Sequence, residues 1–99
     1  MLHTVNKSPL QTRDLDSCLA HLGDSHLLLI EDAVYGALAA APSAHQLASA
    51  ADAGRVYALG PDMEARGITA QELAGGIQIV DYPGFVELVA DHGPHQAWL

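Results

Sequence analysis

The chain has 99 residues, of which 49% are hydrophobic and only 16% are charged, and its formal net charge is −8. This length predicts one domain over residues 1–99. Twelve acidic residues against four Lys and Arg argue against direct nucleic-acid binding, because phosphates are held by clustered positive charge.

The first elements in chain order are a short strand and a helix. The strand is predicted over Leu2–Val5, and the helix begins near Arg13 with Thr12 as its cap. One face of this helix is apolar by its spacing and contains Leu15, Cys18, Leu19 and Leu22. Gly23 ends the helix.

The next strand, residues 27–30, is an apolar run without polar alternation, which is typical of a strand buried on both faces of a parallel sheet. Glu31 and Asp32 follow at its carboxyl end, and a helix is predicted from Ala33 to about Ala40. Ligands of open α/β sheets lie outside the carboxyl ends of the strands, so the two acids could line a small-ligand site. In the alternative interpretation Asp32 caps the helix and Glu31 faces water.

The second half of the chain continues the alternation. The capping-box spacing of Ser43 and Gln46 predicts a helix that ends at Ala51. Strands are predicted over residues 55–59 and 77–80, with a brief helix over residues 62–66 between them.

The last predicted helix is capped by Asp81 and ends at Gly93 and Pro94. Its predicted buried face consists of Tyr82, Phe85, Val86 and Val89. In the tail that follows, residues 96–99, we expect Trp98 and Leu99 to dock on an apolar surface.

This order of elements predicts the fold class. Strands that alternate with helices indicate a single-domain, three-layer α/β/α fold with a mostly parallel sheet of four to five strands. The order of the strands in the sheet does not follow from the pattern.

Cys18 is the one strong nucleophile, and it also excludes an internal disulfide because it has no partner cysteine. Its position on an apolar stripe favours a buried thiol. His21 lies one helical turn away and could stabilise a thiolate, whereas Asp14 would oppose one. The residues alone therefore leave a reactive and a buried Cys18 both open.

The chain shows no pattern for a metal, a cofactor or a membrane. His92 and His95 are the only closely spaced pair of histidines, and Gly93 and Pro94 break any helix between them, so we expect no metal site. The glycine-rich phosphate-binding motifs are absent, and no cofactor is predicted. Without a long apolar run or a signal-peptide pattern, we expect no membrane span and a cytoplasmic location.

Taken together, the residues resemble the DsrH/TusB family along the whole chain. The stretches that carry the resemblance are MLHTVNKSP (1–9), LLIEDAVY (28–35), YALGPD (57–62), ARG (65–67), VDYPGFV (80–86) and QAWL (96–99). Ala33 departs from the glycine that this family often has after the acidic pair.

The resemblance implies a subunit of a cytoplasmic sulfur-relay complex with a DsrEFH-like fold. DsrH assembles with DsrE and DsrF, and TusB with TusD and TusC, in heterohexamers that move persulfide sulfur between cysteines. The Dsr branch serves sulfur oxidation and hands sulfur to DsrC, and the Tus branch serves 2-thiolation of the wobble uridine in tRNA.

Cys18 matches the cysteine typical of DsrH, so we expect the Dsr branch, with DsrE-like and DsrF-like partners, a DsrC-like acceptor and Cys18 as a secondary persulfide carrier. The Tus branch and a purely structural subunit are the alternatives. The low charged fraction and the resemblance together predict an obligate hetero-oligomer.

Overall fold

The computed structural model describes residues 1–99 and contains one five-stranded sheet in which all neighbouring strands are parallel. The strands are β1 (Leu2–Val5), β2 (His26–Leu29), β3 (Val56–Leu59), β4 (Gln78–Val80) and β5 (His95–Trp98). Their order across the sheet is β4-β3-β2-β1-β5. The predicted α/β fold with a parallel sheet is confirmed.

Four α-helices connect these strands and cover the sheet. They are α1 (Asp14–His21), α2 (Ala44–Asp52), α3 (Gly60–Ala65) and α4 (Tyr82–His92). The longest of them, α4, has 11 residues. None of the helices combines the length and the apolar composition that crossing a membrane requires.

The two faces of the sheet are covered unequally. A cluster of 16 buried residues, among them Leu27 and Leu29, fills one face under α1 and α2. The other face has a buried cluster of four residues, in which Leu28 of β2 meets Leu88 of α4. Leu27, Leu28 and Leu29 are completely buried, which confirms a strand covered on both faces, and burial of each such side chain contributes about 1.5–3 kcal/mol.

The segment after β2 is not the α-helix that the sequence predicts. It forms a 3₁₀ helix over Glu31–Ala37, a tighter coil than an α-helix. Its Gly36 packs closely on its neighbours, since a Cβ there would lie 3.1 Å from Leu15 Cδ2 and 3.2 Å from Pro9 Cγ. The chain then extends, and Leu38 forms an isolated antiparallel bridge.

The predicted capping box at the start of α2 is also wrong. Ser43 flanks α2 but makes no capping bond to it. Its hydroxyl instead donates a hydrogen bond of 2.7 Å to the carbonyl oxygen of Gly36. This contact is buried and joins residues seven positions apart. The Ser43 hydroxyl therefore forms a tertiary hydrogen bond instead of the local bond that would cap the helix.

At α4 the cap is confirmed, and the predicted buried face is confirmed in part. Asp81 Oδ1 accepts a hydrogen bond of 2.8 Å from the Gly84 amide, as an N-cap residue does. Leu88 is the residue of α4 that is buried, whereas Tyr82 remains 57% exposed and Val86 68% exposed. Phe85 and Val89 are half-buried and pack against the smaller cluster, as the apolar spacing predicted, so the prediction fails only at Tyr82 and Val86.

The tail is a fifth strand, a role that the sequence did not reveal. β5 pairs in parallel with β1, so that Leu2 lies opposite His95 and Val5 opposite Trp98. Trp98 packs against the large core cluster, as expected. The expected docking of Leu99 is wrong, because that residue is 80% exposed.

Candidate functional site

Cys18 lies inside the protein rather than at its surface. α1 turns it into the large core cluster together with Leu15 and Leu22, and none of its surface is exposed. This burial raises the pKa of the Cys18 thiol from 9.0 to about 12, because an apolar surrounding disfavours the thiolate. At neutral pH Cys18 is therefore almost entirely in the thiol form.

His21, which could stabilise a thiolate at Cys18, makes its contacts elsewhere in this structure. His21 is exposed, and its Nδ1 lies 2.9 Å from the carbonyl oxygen of Ser17. Its ring faces Trp98, with centroids 6.1 Å apart. The pKa shift of Cys18 has burial as its cause, with no contribution from a neighbouring charge.

The two acids at the carboxyl end of β2 are held by residues that follow β3. Asp32 forms an ion pair of 2.9 Å with Arg66, and the Glu31 amide donates a hydrogen bond of 2.6 Å to Asp62 Oδ2. Arg66 also donates to the Asp62 carbonyl oxygen at 3.0 Å. Asp32 is therefore an ion-pair partner and not the helix cap, whereas Glu31 faces water, as one interpretation of the sequence predicts.

The geometry of this edge gives weak support to a small-ligand site. Glu31 adopts a left-handed conformation with φ of 49°, which costs about 1–2 kcal/mol in a residue other than glycine. The hydrogen bond to Asp62 holds it there. An open depression of about 290 Å³ lies beside Asp32 and includes Tyr35, but Asp32 and Asp62 are already engaged by Arg66 and by the Glu31 amide.

Most of the histidines take part in aromatic and polar contacts. His26 stacks on His92 with ring centroids 3.7 Å apart, and its Nδ1 lies 3.0 Å from the Tyr57 hydroxyl. His95, the histidine next to His92 in the sequence, pairs with Thr4 Oγ1 at 2.9 Å. No three His, Cys, Asp or Glu side chains converge in a way that could hold a metal ion.

Stability is expected to fall in mild acid because of His26 and His3. Burial lowers the pKa of both, with His92 as the second cause at His26 and the N-terminus at His3. The unfolded chain binds these protons more readily, so the stabilisation is present above about pH 6.5 and is lost as the pH falls. Urea unfolding between pH 7.5 and pH 5 measures this loss.

A His26→Gln variant provides the specific check on this pH dependence. It should lose less stability between pH 7.5 and pH 5 than the wild type does, since one of the two histidines is gone. His45→Gln, at an exposed position of α2, should follow the wild type. Equal slopes for wild type and His26→Gln would contradict the assignment.

Comparison with known families gives the affiliation of the chain. The family described as "DsrH like protein" matches residues 7–95, which is nearly the whole domain. The chain belongs to this family. Among relatives of the DsrH-like chain, protein TusB of Pectobacterium parmentieri is 41% identical over 100 residues, covering 99% of this chain and all of the relative. Protein TusB of Escherichia coli K12 is 39% identical with the same coverage.

Solved structures share the fold of the DsrH-like chain. The crystal structure of the ychN protein from E. coli superposes with a TM-score of 0.82 and 16% identity, and the match covers 97% of each chain. A Methanobacterium thermoautotrophicum protein of unknown function gives a TM-score of 0.66 at 12% identity, covering 97% of this chain and 95% of the other. At these identities the likeness concerns the fold.

The sequence of the DsrH-like chain did not by itself reveal Asp62 and Arg66 at the strand edge. Their position could in principle have been predicted from the sequence, because both residues follow β3, and β3 is the parallel neighbour of β2. The carboxyl ends of neighbouring parallel strands meet at one edge of the sheet. The missing information was the strand order, without which the two segments could not be placed together.

Proposed function

We propose that this chain is the TusB-like subunit of a cytoplasmic sulfur-relay complex that serves 2-thiolation of the wobble uridine in tRNA. The observation that carries the proposal is the identity of about 40% with TusB proteins over the whole chain. By analogy with that family, the partners are TusC-like and TusD-like subunits in a heterohexamer. The chain is a member of a relay, not an independent catalyst.

This proposal reverses the preference that the sequence suggested. Cys18 favoured the Dsr branch, with sulfur oxidation and a DsrC-like acceptor, whereas the curated relatives are TusB proteins. The Dsr branch is the second candidate because the cysteine typical of DsrH is present at position 18.

Deletion of the gene for this chain in its own organism distinguishes the branches. We expect the 2-thiouridine content of tRNA, measured by liquid chromatography and mass spectrometry, to fall and to recover when the wild-type gene is restored. Unchanged tRNA thiolation together with loss of growth on reduced sulfur compounds would favour the Dsr branch. If the deletion alters neither tRNA thiolation nor growth on reduced sulfur compounds, a role in either relay is contradicted.

We further propose that the principal sulfur acceptor of the complex is a cysteine of the TusD-like or DsrE-like subunit. In a persulfide transfer, an acceptor thiolate attacks the outer sulfur of the donor persulfide, a new S–S bond forms, and the donor leaves as a thiolate. The acceptor must therefore be reachable and ionised. Complete burial of Cys18 and its pKa of about 12 support a secondary or structural role for this residue.

The amount of sulfur on Cys18 should accordingly be far below that on the partner. When the purified complex is incubated with a persulfide donor, intact-mass spectrometry should show one added sulfur, about 32 Da, on most of the partner chains. Fewer than about one tenth of the molecules of this chain should carry the added sulfur, because the Cys18 thiolate is both scarce and buried.

A Cys18→Ser variant is the matched control for this experiment. The complex should assemble and load its partner subunit normally, and this chain should lose any added sulfur mass. Wild-type loading equal to that of the partner would make Cys18 a principal carrier. No loading at all, under conditions that load the partner, would leave this chain a structural subunit.

A further inference from the structure

One flank of α4 presents an apolar surface that the rest of the chain covers only in part. We call it the α4 flank, and it consists of Tyr82, Phe85, Val86, Val89 and Ala90. These residues repeat at helical spacing and therefore lie on one side of the helix. Together they line an open concavity of about 410 Å³ that contains no polar residue.

The α4 flank extends outward from the side with which the helix packs on the sheet, since Phe85 and Val89 also pack partly against the smaller cluster. Leu88 makes the buried contact, while Val86 keeps 68% of its surface exposed. The acidic residues of the helix, Glu87 and Asp91, fall on the opposite flank by their spacing. A helix whose outer surface served only solvation would carry polar residues here, so the apolar flank indicates a contact surface.

The α4 flank is continuous with an open edge of the sheet. Phe85 meets His95 of β5 edge to face, with ring centroids 6.3 Å apart. β5 is the last strand on that side and pairs with β1 alone. A partner that covers the flank therefore also reaches the unpaired backbone groups of β5, which offer hydrogen bonds at the border of an apolar contact.

We propose that the α4 flank binds a different subunit, one whose apolar surface is bordered by Lys and Arg. This inference rests on the proposed function, which requires partner subunits. The charges of this chain favour such a partner over a second copy. The chain has a formal net charge of −8 and no Lys or Arg among residues 67–99, and Asp81 directly precedes the flank, so two copies facing each other would repel, which disfavours association.

A single charged substitution in the α4 flank tests the proposal. Val86→Glu introduces a carboxylate into the centre of the surface, and its exposure predicts that the chain still folds. Ala48→Glu, at an exposed position of α2, adds the same charge elsewhere and is the matched control. Circular dichroism melting should show that both variants fold like the wild type.

The measurement is binding of this chain to the purified TusC-like and TusD-like subunits of the same organism, by isothermal titration calorimetry. We expect Val86→Glu to bind at least about tenfold more weakly, because a charge buried without a partner opposes the contact. Ala48→Glu should bind like the wild type. Wild-type binding should also weaken as NaCl is raised, since salt screens the attraction between the acidic chain and the Lys and Arg of its partner.

Three results would overturn the inference, and they differ in what they leave standing. Equal binding of wild type and Val86→Glu would place the partner elsewhere and leave the proposed function intact. If the wild type binds neither subunit, both the proposed function and the inference are contradicted. Analytical ultracentrifugation of the chain alone tests for self-association. If the wild type self-associates and Val86→Glu does not, a second copy of the chain occupies the flank.

Discussion

Removal of residues 95–99 is expected to destabilise the protein by at least about 3 kcal/mol, a large fraction of the 5–15 kcal/mol that holds a typical domain together. The truncation deletes strand β5 and uncovers β1. It also removes Trp98, whose side chain packs on the large core cluster and donates a hydrogen bond of 3.0 Å to His3 Nδ1. His3 is 3% exposed, so it would lose this partner inside the protein.

Urea unfolding of the truncated and full chains measures this effect, and removal of Leu99 alone is the matched control. Because Leu99 is 80% exposed, its loss should change stability by less than about 0.5 kcal/mol. Trp98→Ala should account for much of the effect of the larger truncation. An unfolding midpoint that is the same for the full chain and the chain without residues 95–99 would refute the role assigned to β5.

A Gly76→Ala substitution is expected to cost at least about 2 kcal/mol. Gly76 has a φ of 85°, in the left-handed region, and a Cβ there would lie 2.6 Å from the carbonyl oxygen of Ala51. Ala51 belongs to the last turn of α2, so relief of the clash requires movement of backbone. The conformational cost and the overlap add to each other.

The neighbouring glycine provides the control for this prediction. A Cβ at Gly75 would meet no atom within 4 Å, so Gly75→Ala should leave the free energy of unfolding within about 0.5 kcal/mol of the wild type. Thermal melting of the two variants compares them directly. If both alanines have the same effect, the close approach of this turn to α2 does not limit stability.

The sequence by itself determined the fold class and the central strand. The unbroken apolar run at residues 27–30 predicted burial on both faces, and Leu27, Leu28 and Leu29 are buried in the structure. Such a run needs no knowledge of its neighbours, because only a position covered on both sides tolerates it. The Asp81 cap was also predictable from local sequence alone, since the hydrogen-bond partner of Asp81, the Gly84 amide, lies within the same turn of chain.

The helical spacing around Cys18 likewise indicated a core position, but the depth of that position did not follow from the spacing. A stripe of apolar residues tells which side of a helix faces inward. How far the thiol lies from water depends on what other elements place against that side, and here α1 packs on the sheet within a cluster of 16 buried residues. The high pKa of Cys18 is thus a tertiary property.

Only the tertiary structure decided the order of the strands, and with it the candidate site and the docking surface. Strand order brought Asp62 and Arg66 to the acids that follow β2, and it placed the tail beside β1 as a fifth strand. The same arrangement left α4 as the helix over the smaller cluster, with an exposed apolar flank. Local patterns could not show this, because an apolar residue on a helix has the same spacing whether it meets its own sheet or another subunit.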